Sequence, residues 1–121
     1  MTSPEPPTPF PGRDAGPVID QQLHALADPT RRAIYDIVRT GPSSVSAVAA
    51  RLPVSQPAVS QHLRVLSDAR LVTATPRGAR RIYRADPAGL ADLRRWLDRL
   101  WDDVLDAYVE AATGAEPEEE R

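Results

Sequence analysis

Apolar residues recur at helical spacing in five segments of this chain and give way once to a strand-like pattern. Ile19, Leu23 and Leu26 fall four and three apart within Val18 to Ala27, which predicts a first helix. Asp28-Pro29 breaks it and opens the next, with Asp28 placed to cap and Pro29 at the first helical position. The second helix turns Ile34, Ile37 and Val38 inward and ends at Gly41-Pro42. Ser43 or Ser44 can cap a third, whose stripe is Val45, Val48, Ala49 and Leu52 and which Pro53 ends. Ser55 caps a fourth, with Pro57 tolerated in its first turn and Val59, Leu63 and Leu66 facing the core. After Ala69-Arg70 the period changes. Leu71 to Thr75 and Arg80 to Arg84 are β-prone runs joined through Pro76-Arg77-Gly78-Ala79, which reads as a hairpin. Asp86-Pro87 opens a last helix through Ala112, with apolar positions Leu90, Leu93, Leu97, Leu100, Val104 and Tyr108, reinforced by Trp96, Trp101 and Leu105. The predicted fold is mainly α with a small β-hairpin, in the order α-α-α-α-β-β-α.

With 121 residues there is room for one compact domain, and 41% hydrophobic content against 26% charged excludes wholesale disorder. Residues 1–17 hold six of the thirteen prolines and read as a flexible arm. Residues 18–112 form the predicted folded domain, and 113–121 an acidic, flexible tail. The absence of cysteine excludes disulfides, thiolate metal sites and thiol nucleophiles. No stretch approaches 18 uncharged apolar residues, so no membrane span is expected, and the N-terminus lacks the pattern of a secretory signal. A cytoplasmic location is the expectation. No Gly-rich phosphate loop or converging triad is visible, and the expectation is not an enzyme.

The net charge of -2 conceals an asymmetry. From Asp28 to Ala85 ten arginines face three aspartates, a balance of +7; from Asp86 to Arg121 four arginines face eleven acids, a balance of -7. The local field, not the total, is what a nearby polyanion meets. Every basic residue is arginine, so each cationic contact is a planar guanidinium able to form two parallel bonds.

The third and fourth helices, separated by Pro53-Val54, look like a helix-turn-helix, and the hairpin after them like a wing. An α-helix fits the major groove of B-DNA if it buries one face and presents short polar and guanidinium side chains on the other. With Val59, Leu63 and Leu66 inward, the fourth helix presents Gln56, Pro57, Ser60, Gln61 and Arg64. Gln can pair bidentately with adenine and Arg with guanine, while Ser55 and the helix start it caps suit a phosphate. Arg77, Arg80, Arg81 and Arg84 crowd the hairpin with no acid among them, a ribbon suited to the flanking backbone or minor groove. The candidate DNA-binding set is Ser55, Gln56, Pro57, Ser60, Gln61, Arg64, Arg77, Arg80 and Arg81. The competing reading is a winged helix used as a protein-interaction module.

The last helix is about 40 Å long if continuous. Leu90, Leu93, Leu97, Leu100 and Val104 follow a 3-4-3-4 rhythm, the mark of a seam against another helix. A chain this small has too little core to cover that stripe, so a second copy is the expected cover. The candidate dimer residues are Leu23 with Leu90, Leu93, Trp96, Leu97, Leu100, Trp101, Val104 and Tyr108.

The strings Leu26-Ala27-Asp28-Pro29-Thr30-Arg31-Arg32 and Val54-Ser55-Gln56-Pro57-Ala58-Val59-Ser60-Gln61-His62-Leu63-Arg64-Val65-Leu66 resemble the ArsR/SmtB family of winged-helix transcriptional regulators. The resemblance covers about residues 20–110. It implies a homodimer built on the first and last helices, a double-stranded operator of imperfect two-fold symmetry, and repression relieved by an effector. Metal-sensing relatives carry thiolates near the recognition helix or Asp/His/Glu clusters on the last helix; this chain departs from both. His24 and His62 are its only histidines, and neither lies on the last helix. Asp102, Asp103, Asp106 and Glu110 read as a solvated face. The expectation is a regulator with no cofactor and no transition-metal site, open to a small-molecule effector. Asp28 is expected to cap its helix, and Arg31 or Arg32 to pair with an acid such as Asp36 or Asp68.

Overall fold

The computed structural model describes residues 16–113, so the expected N-terminal arm up to Ala15 and the acidic tail from Gly114 lie outside the described residues. The elements are α1 (Gly16–Ala27), α2 (Pro29–Thr40), β1 (Ser43–Ser44), α3 (Val45–Ala49), α4 (Gln56–Asp68), β2 (Val72–Arg77), β3 (Arg80–Ala85) and α5 (Pro87–Thr113). The first helix begins at Gly16 rather than Val18, because Pro17 fits a first turn where its missing N–H is not needed. The last ends one residue beyond Ala112, within the fraying expected of helix ends.

Local chemistry sets most boundaries. Asp28 caps α2, its Oδ2 accepting from the Arg31 amide at 2.9 Å, with Pro29 at the first position. Ser44, rather than Ser43, caps α3 through its Oγ and the Ala47 amide at 3.1 Å. Ser55 caps α4, accepting from the Ala58 amide at 3.3 Å. The third helix stops at Ala49, short of Leu52 and Pro53. The residue before a proline is driven out of the α region, and Ala50 to Leu52 unwind in a tight turn. At the end of α4 the Leu71 amide reaches back to the Leu66 carbonyl at 3.0 Å, and Arg70 takes the left-handed position at φ +64 usually given to glycine.

The hairpin gains a third strand that the pattern did not reveal. The sheet order is β1-β3-β2, all antiparallel, with Ser43 opposite Tyr83 and Ser44 opposite Ile82. Two serines carry no alternation to read, so their pairing is set by where α2 delivers the chain. The hairpin turn is also tighter than expected: β2 runs through Pro76 and Arg77, leaving Gly78-Ala79 as the connection, with Gly78 at φ +63. Pro76 is tolerated because β2 is an edge strand with a free side.

The core joins Ala25, Ile34, Tyr35, Val38, Val48, Val59, Leu63, Leu66, Ala69, Leu71, Val72 and Tyr83. Each fully buried leucine or isoleucine contributes about 1.5–3 kcal/mol. The first helix departs from its expected face: Ile19, Gln22 and Ala25 are buried, whereas Leu23 is exposed. Gln22 is tolerated inside because its Nε2 donates to the Gly89 carbonyl at 2.9 Å, tying α1 to α5. Gly89 in turn lies against the Arg70 carbonyl, closely enough that no side chain fits between them. In α2, Tyr35 replaces Ile37 as the third fully inward residue, and its hydroxyl is buried without a partner. Burial is the main cause pushing the Tyr35 phenol above its ordinary value.

The expected arginine–acid pair at the start of α2 does not form. Asp36 binds Arg39 at 2.9 Å, and Arg32 instead donates to the Leu26 and Ala27 carbonyls at 2.8 and 3.2 Å, closing the C-terminus of α1. The orphan carbonyls of a helix end compete well for a guanidinium, and sequence spacing does not show them.

Candidate nucleic-acid interface

With α4 seated on Val59, Leu63 and Leu66, its opposite face is exposed at Gln56, Pro57, Ser60, Gln61 and Arg64. Between that face and the wing lies a cleft of about 520 Å3. Gln56, Ser60 and Arg64 line one wall, and Arg80 and Arg81 of β3 the other. The structure therefore brings five of the nine expected reading residues to one groove. Ser55 is at the cap of α4, Pro57 and Gln61 are exposed along that helix outside the groove, and Arg77 is at the wing tip opposite Arg80.

The electrostatics favour an anionic guest. Among the described residues the ion pairs are Arg39–Asp36, Arg94–Asp98 and Arg95–Asp92. Arg64, Arg77, Arg80 and Arg81 are in none of them, so the positive charge of this face is not cancelled internally. Two of the three ion pairs lie on α5, where the acids are concentrated.

Sequence reasoning missed several groove residues. Ser67 lines it one turn beyond Arg64, a position the 60–64–67 spacing on α4 could have supplied. Ser44 and Ser46, whose hydroxyls lie 3.2 Å apart, and Tyr83 enter only because β1 pairs with β3. Asp68 also borders the groove, the one acid on its rim.

The expected seam on α5 divides in two. Gly89 and Leu93 are buried within the chain and Trp96 is half-buried, so Leu93 belongs to the packing of its own protomer. From Leu97 to Thr113 every residue is exposed, including Leu97, Leu100, Trp101, Val104, Leu105, Tyr108 and Val109. Leu23 and Leu90, each about 40% exposed, continue the apolar surface toward α1. Among the described residues no three His, Cys, Asp or Glu side chains are close enough to hold a metal ion, and no helix is long and apolar enough to cross a membrane.

Residues 26–74 match the model of a helix-turn-helix domain. The chain is 54% identical over 91 residues to the HTH-type transcriptional regulator Rv2034 of Mycobacterium tuberculosis, spanning 75% of this chain and 85% of that protein. It belongs to the ArsR/SmtB family of winged-helix transcriptional regulators. It is also 35% identical over 109 residues to the HTH-type transcriptional repressor SmtB of the same species, covering 88% of this chain and 73% of the relative. Among solved structures it resembles the homodimeric winged helix-turn-helix DNA-binding domain Mb0332 from Mycobacterium bovis, a possible ArsR-family regulator. There the TM-score is 0.57 and the identity 27%, over 82% of this chain and 88% of that one. As a family member the chain is a transcriptional regulator of repressor type, its helix-turn-helix formed by α3 and α4 and its wing by β2 and β3.

Proposed function

We propose that this ArsR/SmtB regulator binds a palindromic double-stranded operator as a homodimer and carries no transition-metal sensing site. The observation that carries the reading is the groove where Gln56, Ser60 and Arg64 meet the unpaired Arg80 and Arg81. In this reading the start of α4 enters the major groove: Gln56, Ser60, Gln61 and Arg64 face base edges, while Ser55 and the wing arginines hold phosphates. Arg77, at the tip, reaches furthest along the backbone.

The dimer has a separate physical basis. Seventeen consecutive exposed residues of α5 make about 25 Å of helix with no tertiary support, a length at which isolated helices are marginal. Leu97, Leu100, Trp101, Val104 and Tyr108 supply a continuous apolar strip for the same strip of a second copy. The M. bovis homodimer is consistent with that pairing. A two-fold axis through α5 then spaces two reading helices about one DNA turn, roughly 34 Å, apart. The acidic residues of α5 lie outside the reading groove, which explains how a protein of net charge -2 approaches DNA. A complement without cysteine, whose two histidines sit on α1 and α4, supports a sensing input other than a transition metal.

The test is a duplex titration across salt. Specific binding should exceed random-sequence binding, with log K falling by about 0.9 per phosphate neutralised. Absence of duplex binding at low ionic strength would leave the protein-interaction reading in its place.

A further inference from the structure

Tyr83 and Tyr35 both sit in the core, 6% and 7% exposed, yet their hydroxyls meet different surroundings. The Tyr35 hydroxyl is sealed from solvent without a partner. The Tyr83 hydroxyl also has no hydrogen-bond partner among the described residues, but it is not sealed in. Tyr83 lines the reading groove, and the small part of it that reaches solvent, hydroxyl included, opens there. A phenylalanine would fill the core as well, because the hydroxyl makes no bond that holds the fold. Its placement is also fixed. Tyr83 is on β3, the central strand of the sheet, opposite Ser43 of β1 and Ala74 of β2. A buried ring there has little rotamer freedom left to lose on binding, whereas each long arginine beside it has much.

The charge around the hydroxyl selects its guest. Arg81 lies two residues away on the same face of β3, and Arg64 and Arg80 line the groove with it, none of them in an ion pair. Asp68, the one acid on the rim, makes no hydrogen bond to the hydroxyl. A phenol both donates and accepts, and among three guanidinium groups the group that settles beside it is an anion, to which it donates. On duplex DNA that group is a backbone phosphate, a regular partner of tyrosine hydroxyls. The base edges are left to Gln56, Ser60 and Arg64 on the α4 wall.

We infer that Tyr83 is a DNA-contact residue, its hydroxyl donating to one backbone phosphate in each half-site and fixing how the duplex seats while the arginines supply the charge. The inference rests on the DNA-binding reading above and adds to it a contact that carries no sequence information. Because the hydroxyl is neutral it displaces no counterion, so its removal lowers affinity without changing the salt dependence. Loss of an arginine changes both.

The experiment compares the full chain with Tyr83→Phe in fluorescence-anisotropy titrations. The probes are a duplex that the parent selects from a random-sequence library and a random duplex, each across salt. Tyr83→Phe should bind both about tenfold more weakly, as expected for a lost hydrogen bond to a charged group. The ratio between the two duplexes, the salt slope and the urea midpoint of unfolding should stay those of the parent. The selected duplex is then made with a neutral methylphosphonate at one linkage at a time. At one linkage in each half-site the substitution should weaken the parent several-fold and leave Tyr83→Phe nearly unaffected, the mark of two groups that touch. Equal binding by parent and variant overturns the inference. So does a loss confined to the selected duplex, a loss accompanied by a lower unfolding midpoint, or a loss coupled to no linkage. A parent that binds no duplex at low salt overturns the DNA-binding reading and this inference with it, whereas the other failures leave that reading standing.

Discussion

Gly89→Ala is the substitution whose consequence the structure fixes most tightly. A Cβ on residue 89 would stand 1.6 Å from the Arg70 carbonyl oxygen, 2.7 Å from its carbon and 3.3 Å from the Arg70 Cβ. Ordinary contact begins near 3.4 Å, so α5 must retreat from the end of α4 by roughly 1.8 Å. The two nearest of these atoms are backbone, and a rotamer change cannot relieve them. Overpacking of this kind costs about 1–3 kcal/mol. The retreat also strains the 2.9 Å bond from Gln22 to the Gly89 carbonyl, leaving buried polar groups unpaired at about another 1 kcal/mol or more. A total of about 3 kcal/mol corresponds to a drop in melting temperature of roughly 15 °C for a domain of this size. Chemical and thermal unfolding followed by circular dichroism measure it. Gly41→Ala is the control: its φ of 174° is extended and nothing lies within 4 Å, so it should be neutral or slightly stabilising. In the dimer proposed above, the fraction of Gly89→Ala that folds carries a displaced α5, which moves each reading helix relative to the two-fold axis. The combined shift approaches the rise of one base pair, about 3.4 Å, so the preferred half-site spacing should change by one step. A Gly89→Ala protein within about 0.5 kcal/mol of the parent would refute the close approach on which this reasoning stands.

Arg64→Ala should weaken operator binding by about 1–3 kcal/mol and relax one base position, whereas Arg80→Ala should weaken all sequences alike; competition against random duplex separates the two. Trp101→Glu, at the centre of the exposed strip, should weaken self-association by about 2 kcal/mol, some thirtyfold, in sedimentation equilibrium. Unchanged association would show that a second copy does not cover that strip. Tyr35→Phe removes a buried hydroxyl without a partner and should leave stability equal or up to about 1 kcal/mol higher at neutral pH. Because burial raises the folded-state pKa of Tyr35 above the ordinary 10.0, its contribution is intact below pH 10 and is lost as pH rises through the folded value. Urea unfolding at pH 8 and pH 11 should therefore show a smaller alkaline loss in Tyr35→Phe than in the parent.

The parts of the fold legible from sequence are those written in local chemistry. Asp28-Pro29, Ser55 ahead of Gln56-Pro57, and the period change after Arg70 each carry their own stop or start signal, and the helices and wing begin close to them. What escaped notice depends on partners distant in sequence. Gln22 looks like a surface residue until the Gly89 carbonyl, 67 positions away, is found to receive its amide. Ser43 and Ser44 become a strand only because β3 runs alongside. Leu93 and Leu97 belong to one apolar rhythm, yet the first is buried within its own chain and the second is exposed, a division set by where α5 leaves the domain. In the groove, the outward face of α4 follows from the helical period, and the approach of Arg80 and Arg81 follows from hairpin register, which no spacing along the chain encodes.

The central claim is that two chains pair through α5 and read one duplex together. Sedimentation velocity of a labelled operator duplex titrated with the full-length protein tests it in one measurement. The account predicts a single complex with the mass of two chains on one duplex, formed without an intermediate at protein concentrations where Trp101→Glu gives none. A saturated complex holding one chain, or a duplex that sediments unchanged at low salt, would contradict it.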